Sequence, residues 1–443
     1  MIHEALEKVL AGEDLSPSEL QAVVEDFAAG RATRIQFAAL STALRMKGMT
    51  KDESAAMWSL QPQMVDAFER TCNVPSEGDA PGEAGSSEFL RLAMMLIQRG
   101  DDLSSKEAEN VMEEILSGRA DDLSIAMFLA AVRFKGETVD ELVGFATAMR
   151  RHAAPNFSTL RLAPAEPLVD TAGTGGDARG TFNISTAAAF VIAGAGVRVA
   201  KHGNRSYTSR CGSADVLEEL GVRMDLTPER VARAIEEIGI GFLYAPAMHT
   251  AMRHAMPARR ELKVRTVFNL LGPLTNPAGA SAQIVGVFDA TFTELLAQAL
   301  GELGVQRAFV VHGADGLDEI SISGETQISE LCDATVRSYT LAPEDFGLSR
   351  APLETIRGGD AKHNAHIINR VLGHRDAPHE HGPHRDIVLA NSSAALVAAG
   401  RAADFFEGVR LAAESIDSGA ARAKLDALVA FTQQEKPRSQ FAP

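Results

Sequence analysis

Lys201, His202, Asn204 and Arg205 stand together in "VRVAKHGNRSYTSRCGSADVLEELG", directly after an apolar run that reads as a strand. Ser206, Thr208, Ser209 and Ser213 follow with hydroxyls. Cations and hydroxyls grouped in this way are donors suited to a polyphosphate. Upstream, "DTAGTGGDARGTFNIST" (170–186) is a second anion-binding candidate, with four glycines between Gly173 and Gly180. Gly173, Gly175 and Gly176 let the backbone take positive φ and approach a ligand closely, and successive N–H groups in such turns form an anion nest. Asn183, Ser185 and Thr186 are N-capping types at the start of an apolar helix, whose first turn offers unpaired N–H donors. No GK[ST] follows, which excludes a Walker loop, and the GxGGD spacing differs from the dinucleotide GxGxxG fingerprint.

Two further stretches complete the set. In "AFVVHGADGLDEIS" (308–321) a buried strand delivers His312, Asp315, Asp318 and Glu319. The adjacent pair Asp318–Glu319 offers the hard oxygen ligands that Mg²⁺ takes while it bridges to substrate phosphates. In "MPARRELKVRTVFNLLGPLTNPAG" (256–279) Arg259, Arg260 and Arg265 flank a short helix, and arginine pairs with a planar carboxylate in bidentate fashion. "NLLGPLTNP" reads as a rigid turn.

These residues need a frame. From about Pro167 short apolar strands alternate with helices, which predicts an α/β domain with a mainly parallel sheet over 161–443. Asp170 ends its first strand, and open α/β sheets bind ligands beyond the carboxyl ends of their strands. "ATVRSYTLAPEDF" adds an antiparallel strand, and a helical tail closes the chain. The N-terminal part is a repeat: residues 14–53 align without gaps onto 102–141, an offset of 88 with 17 of 40 positions identical. Each copy reads as two to three short amphipathic helices, with Ser16–Glu19 and Ser104–Glu107 at capping-box spacing. The predicted divisions are an extra helical module (1–72), a flexible Gly/Pro/Ser-rich linker (73–87) and a second helical copy (88–160) before the α/β domain.

Composition excludes several classes. A net charge of −16 gives no broad basic footprint for nucleic acid. Three cysteines without a CxxC pair make neither a disulfide framework nor a zinc knuckle, and suit a reducing cytoplasm. The first residues, "MIHEALEKVL", have no signal-peptide pattern, and the apolar runs are too short and Gly-rich to span a membrane.

In order and wording, "GTGGD", "NIST", "KHGNRS", "GSADVLEELG", "RTVFNLLGPLTNPA" and "HGADGLDE" resemble the anthranilate phosphoribosyltransferase family over residues 88–430. The resemblance implies a small helical domain beside a nucleoside phosphorylase/phosphoribosyltransferase-type α/β domain. The implied enzyme moves the phosphoribosyl group of 5-phosphoribosyl 1-pyrophosphate to anthranilate for tryptophan biosynthesis, with Mg²⁺, as a homodimer joined through its helical domains. By position, Gly173, Gly176, Asp177, Thr181, Asn183, Ile184, Ser185, Thr186, Lys201, His202, Gly203, Asn204, Arg205, Ser206, Ser209 and Ser213 would hold phosphoribosyl pyrophosphate. Gly173, Asn204, His249, Arg259 and Pro273 would meet anthranilate. Ser185, Asp318 and Glu319 would serve the metal, and Lys201, Asp177 and Arg259 carry the catalytic assignment. Tyr207, Thr208, Cys211, Thr250 and Lys263 depart from the family pattern; Lys263 stands where glycine is usual. The loop "GHRDAPHEHGPHRD" (373–386) reads as a solvated extension.

Two rivals remain open at this stage. A pyrimidine nucleoside phosphorylase shares the plan but carries a different motif after the lysine. A non-catalytic nucleic-acid-binding relative would lose the glycine loop and the acidic pair. The duplicated helices either occupy the surface a second subunit would cover or add a layer beside an ordinary dimer.

Overall fold

The computed structural model describes residues 1–72, 87–153, 157, 160, 166–206, 210–373 and 381–434. The linker (but for Ser87), Tyr207, Thr208, Ser209 and most of the His-rich loop lie outside these residues. The chain divides into two compact units, Met1–Met149 with Ala251–Asn269, and Arg150–Thr250 with Leu270–Pro443. The helical unit thus takes in Ala251–Asn269, a segment that the boundary at 160/161 gives to the α/β domain.

Each copy of the repeat (14–53 and 102–141) holds two full helices and the start of a third, within the two to three expected, and among the described residues each copy lies in a run of four helices. The first run holds α1 (Ile2–Leu10), α2 (Pro17–Ala28), α3 (Arg34–Lys47) and α4 (Lys51–Cys72). The second holds α5 (Glu88–Ile97), α6 (Ser105–Leu116), α7 (Asp122–Lys135) and α8 (Val139–Ala153), the last running on into the other unit. Both expected capping boxes form, Ser16 with Glu19 and Ser104 with Glu107. A buried acid repeats as well. Glu53 accepts the Leu15 and Thr50 N–H groups and pairs with Lys47 at 2.9 Å. Glu141 accepts the Leu103 and Thr138 N–H groups and pairs with Lys135 at 3.0 Å. Each carboxylate staples the loop before one helix to the start of another, and its full burial is tolerable because every bond is charge-assisted. A later helix, α13 (Met256–Leu262), packs on both α3 and α7.

Among the described residues the α/β unit is built on seven strands: β1 (Leu168–Asp170), β2 (Arg198–Gly203), β3 (Ile240–Tyr244), β4 (Ala282–Gly286), β5 (Arg307–Gly313), β6 (Thr326–Cys332) and β7 (Thr335–Leu341). Their order is β3-β2-β1-β4-β5-β6-β7. The first five are parallel, and β6 and β7 are antiparallel additions. The sequence reading anticipates β7; β6, whose TQISELC alternates only weakly, it misses. Alternation along the strands sends Val169 and Val199 to one core, with α9 (Ile184–Gly194) and α17 (Pro383–Ala398). Leu168, Ala200 and Leu243 go to the other, with α11 (Pro228–Ile238). Strands covered on both faces read as continuous apolar runs. The remaining helices are α10 (Ser213–Glu219), α12 (Ala245–Met248), α14 (Phe268–Leu274), α15 (Phe292–Glu302), α16 (Ala361–Val371), α18 (Phe405–Asp417) and α19 (Ala420–Gln433). The expected rigid turn "NLLGPLTNP" is largely α14, with Pro273 inside it. Among the described residues no helix is long and apolar enough to cross a membrane.

Candidate active site

Strand order reverses at β1, whose neighbours are β2 on one side and β4 on the other. The connections after β1 and β4 therefore diverge and leave a crevice at the strands' carboxyl ends, where α/β sheets take ligands. The glycine loop begins there. Gly175 (φ 65°) and Gly176 (φ 85°) adopt the positive φ expected of them, but Gly173 does not. Gly173 serves close approach instead: a Cβ on it would stand 2.8 Å from the Gly286 carbonyl oxygen at the end of β4. Thr174 ties the same junction, donating its N–H to the Gly286 carbonyl and accepting the Phe288 N–H. Gly286 in turn has no room for a side chain, because the Asp318 peptide lies against it. Two glycines thus bring the β1 loop, the β4 end and the acidic motif together.

Lys201, at the end of β2, is buried beneath this loop. Its ammonium donates to the Thr171 carbonyl (3.2 Å), the Thr171 hydroxyl (3.1 Å) and the Ser185 hydroxyl (3.4 Å). Burial pulls its pKa below the ordinary lysine value, against the opposing charges of Asp170 and Glu319. Asp170, also buried, accepts the N–H groups of Ala172 and His202 on one oxygen and the Asn276 amide on the other. One carboxylate therefore joins the β1 loop, the β2 loop and the turn before β4. Thr171, Asp170 and Asn276 are absent from the sequence-derived site: the sequence marks Asp170 only as a strand end, and Asn276 carries no local signal.

The acidic motif brings Glu319 to the start of α9. Glu319 accepts the backbone N–H of Ser185 (3.1 Å), so the donor at the start of α9 is already met by a carboxylate. Burial pushes Glu319 up to about 7, with Lys201 working against the rise. Asp318 is pushed well above the usual carboxylate range by burial, then by the charges of Asp177 and Glu319. Two carboxyls beside a serine hydroxyl are oxygen donors of the hard type that Mg²⁺ takes. Among the described residues no group of three or more His, Cys, Asp or Glu is gathered tightly enough to hold an ion alone. Asp315 is engaged inside its own loop by Leu317, Ser321 and Ser323, and His312 bonds the Val287 carbonyl.

His202 and His249 lie with ring centroids 5.1 Å apart, and each has a buried Nε2 without a hydrogen-bond partner. Burial holds His249 down at about 3, and burial likewise lowers His202, so both rings are neutral at pH 7. The Gly272 carbonyl faces His202 Nδ1 (3.1 Å), which places the ring proton there and leaves Nε2 as an acceptor.

Other sequence candidates have structural duties. Asn183 occupies the N-cap position of α9 but makes no capping bond; its amide reaches the Cys211 carbonyl and its oxygen accepts from Asn364. Ile184 and Thr186 are buried in α9, the Thr186 hydroxyl without a partner. Thr181 forms a lone bridge with Arg357. Arg205 is held by Asp215 (3.0 Å) and Glu218 (2.7 Å) of α10. Ser206 donates its N–H to Asp215, and the Ser213 hydroxyl donates to the Asn204 carbonyl; Gly203 must stay bare because the Ser213 hydroxyl and the Phe242 ring lie where its Cβ would stand. In the helical unit Arg259 and Arg260 lie within α13 rather than beside it, and the Arg259 guanidinium sits 4.9 Å over the Phe268 ring. Lys263 ends α13 in the left-handed region (φ 55°), which explains in physical terms why glycine suits that position.

Comparison with known proteins shows the family. Residues 165–422 match the model of the glycosyl transferase family a/b domain, and residues 3–59 and 95–153 each match that of its helical bundle domain. The chain is 54% identical over 351 residues to an anthranilate phosphoribosyltransferase of Symbiobacterium thermophilum, covering 79% of this chain and 100% of that one. The crystal structure of the Thermus thermophilus enzyme superposes with a TM-score of 0.70 at 44% identity, covering 78% of this chain and 99% of its own. That of the Saccharomyces cerevisiae enzyme in complex with PRPP and Mg superposes at 0.69 with 28% identity, covering 80% and 100%. About a fifth of this chain, the size of one helical bundle with its linker, has no counterpart in the first of these relatives.

Proposed function

Because this chain belongs to the anthranilate phosphoribosyltransferase family, we propose how its own residues divide the transfer of the phosphoribosyl group of phosphoribosyl pyrophosphate to the amine of anthranilate. The reaction breaks the C1–O bond of the ribose and forms a C1–N bond, and pyrophosphate departs with the electron pair. Negative charge therefore grows on the leaving group while positive charge grows on the ring. Fixed donors aimed at the leaving oxygens lower that barrier more than a strong base would, since the aromatic amine is already neutral. The observation that carries the reading is the buried Lys201 ammonium set between Thr171 and Ser185, beside Glu319.

Lys201, the nest of Gly175 and Gly176, and the hydroxyls of Ser185 and Thr186 would hold the diphosphate. Asp318, Glu319 and Ser185 would hold Mg²⁺, which when bound neutralises pyrophosphate. Asp177 lies beside that pair. Arg259 would take the acceptor carboxylate in bidentate fashion. His249 and His202 would offer neutral Nε2 atoms to the amine as it sheds its proton. We assign the activity to the cytoplasm, where free Cys211 and Cys332 stay reduced.

Mixing the protein with phosphoribosyl pyrophosphate, Mg²⁺ and anthranilate should quench the fluorescence of anthranilate. Unchanged fluorescence, with turnover of thymidine and phosphate instead, would overturn the assignment.

A further inference from the structure

α3 packs along α7, and these are the same helix of the repeat, 88 residues apart. A helix lying on its own counterpart is the mark of an isologous, two-fold pairing. Here that pairing is made inside one chain. α7 is apolar on almost every face: Ile125, Ala126, Phe128, Leu129, Ala130, Ala131 and Val132 are all buried. A helix apolar all round needs neighbours on every side, and one bundle of short helices supplies them on one side only. α3, which buries Ala39, Leu40, Ala43 and Leu44, packs along α7 and supplies a further neighbour.

The first repeat also reaches α13. The Gln36 side chain accepts the Thr33 N–H with its oxygen and donates its amide to the Glu261 carbonyl at 2.7 Å. Glu261 lies in the last turn of α13, which bears Arg259. The counterpart of Gln36 in the second repeat is Ser124, whose short side chain stays within its own cap on Asp121. The two copies have diverged where only the first has a helix to brace.

We propose that residues 1–72 act as a built-in second subunit: they cover α7 as a dimer mate would and brace α13 through Gln36, so the chain works as a monomer. The kinetic part of the proposal rests on the reading of Arg259 above.

Light scattering on the full chain should give 47.1 kDa at every concentration. A mass of two chains overturns the proposal; Phe89, Leu92 and Met95, exposed along α5, would be the stripe to test as that interface. Gln36→Ala, a variant outside the packed face, should speed hydrogen exchange of the α13 amides. It should also raise KM for anthranilate about threefold to tenfold, the worth of one hydrogen bond, with kcat and the KM for phosphoribosyl pyrophosphate unchanged. Unchanged exchange in α13 overturns the brace. Faster exchange with unchanged KM, together with an Arg259→Ala variant that is equally silent, would leave the brace standing and remove the Arg259 reading.

Discussion

Asp170 and Asn276 are joined by a 2.7 Å hydrogen bond across 106 positions of sequence. The same Asn276 amide donates to the Ala200 carbonyl, so the pair locks the ends of β1 and β2 to the turn before β4. Asp170→Asn keeps an acceptor for the two N–H groups but sets amide against amide at Asn276. A buried donor left unmet costs about 1–3 kcal/mol. Urea unfolding should show a loss of that size, and KM for phosphoribosyl pyrophosphate should rise because both loops loosen. A variant as stable as the parent would show that the pair is not a clasp.

Asp318 and Glu319 carry the metal assignment. Asp318→Asn with Glu319→Gln removes the charge that burial and mutual repulsion disfavour. The ligand-free protein should therefore be at least as stable in a thermal melt, while Mg²⁺-dependent turnover is abolished. Full activity in the double variant would end the metal role.

Arg259→Ala should raise KM for anthranilate by about tenfold to a hundredfold, the worth of charge-assisted hydrogen bonds to a carboxylate. Binding of phosphoribosyl pyrophosphate should stay nearly intact. Steady-state kinetics with the opposite pattern would move the acceptor elsewhere.

His249 sets an acid limit on stability. Its pKa is lowered to about 3 in the folded chain, so unfolding takes up a proton below the ordinary histidine value. That stability is whole above about pH 6.5 and is lost as pH falls toward the folded value, by about 2 kcal/mol at pH 5. Denaturation series at pH 7 and pH 5 check the slope, and His249→Asn should flatten it.

Much of this was readable along the chain because it is local. The glycine loop, the KHGNR stretch, the acidic pair and the repeat each declare themselves within short windows, through φ requirements, cation grouping and matched spacing. The alternation of short apolar strands with helices from about Pro167 announced the α/β class. Tertiary structure alone decided what depends on distant partners. The strand order put the β1 loop at a reversal point. Gly173 proved to be a matter of contact with Gly286, not of φ, and Arg205 found Asp215 and Glu218 before any phosphate. Gln36 meets Glu261, and Asp170 meets Asn276, only after the chain has closed on itself. Such bonds leave no trace in spacing, because their energy comes from desolvated groups that sequence separation does not bring together and packing does.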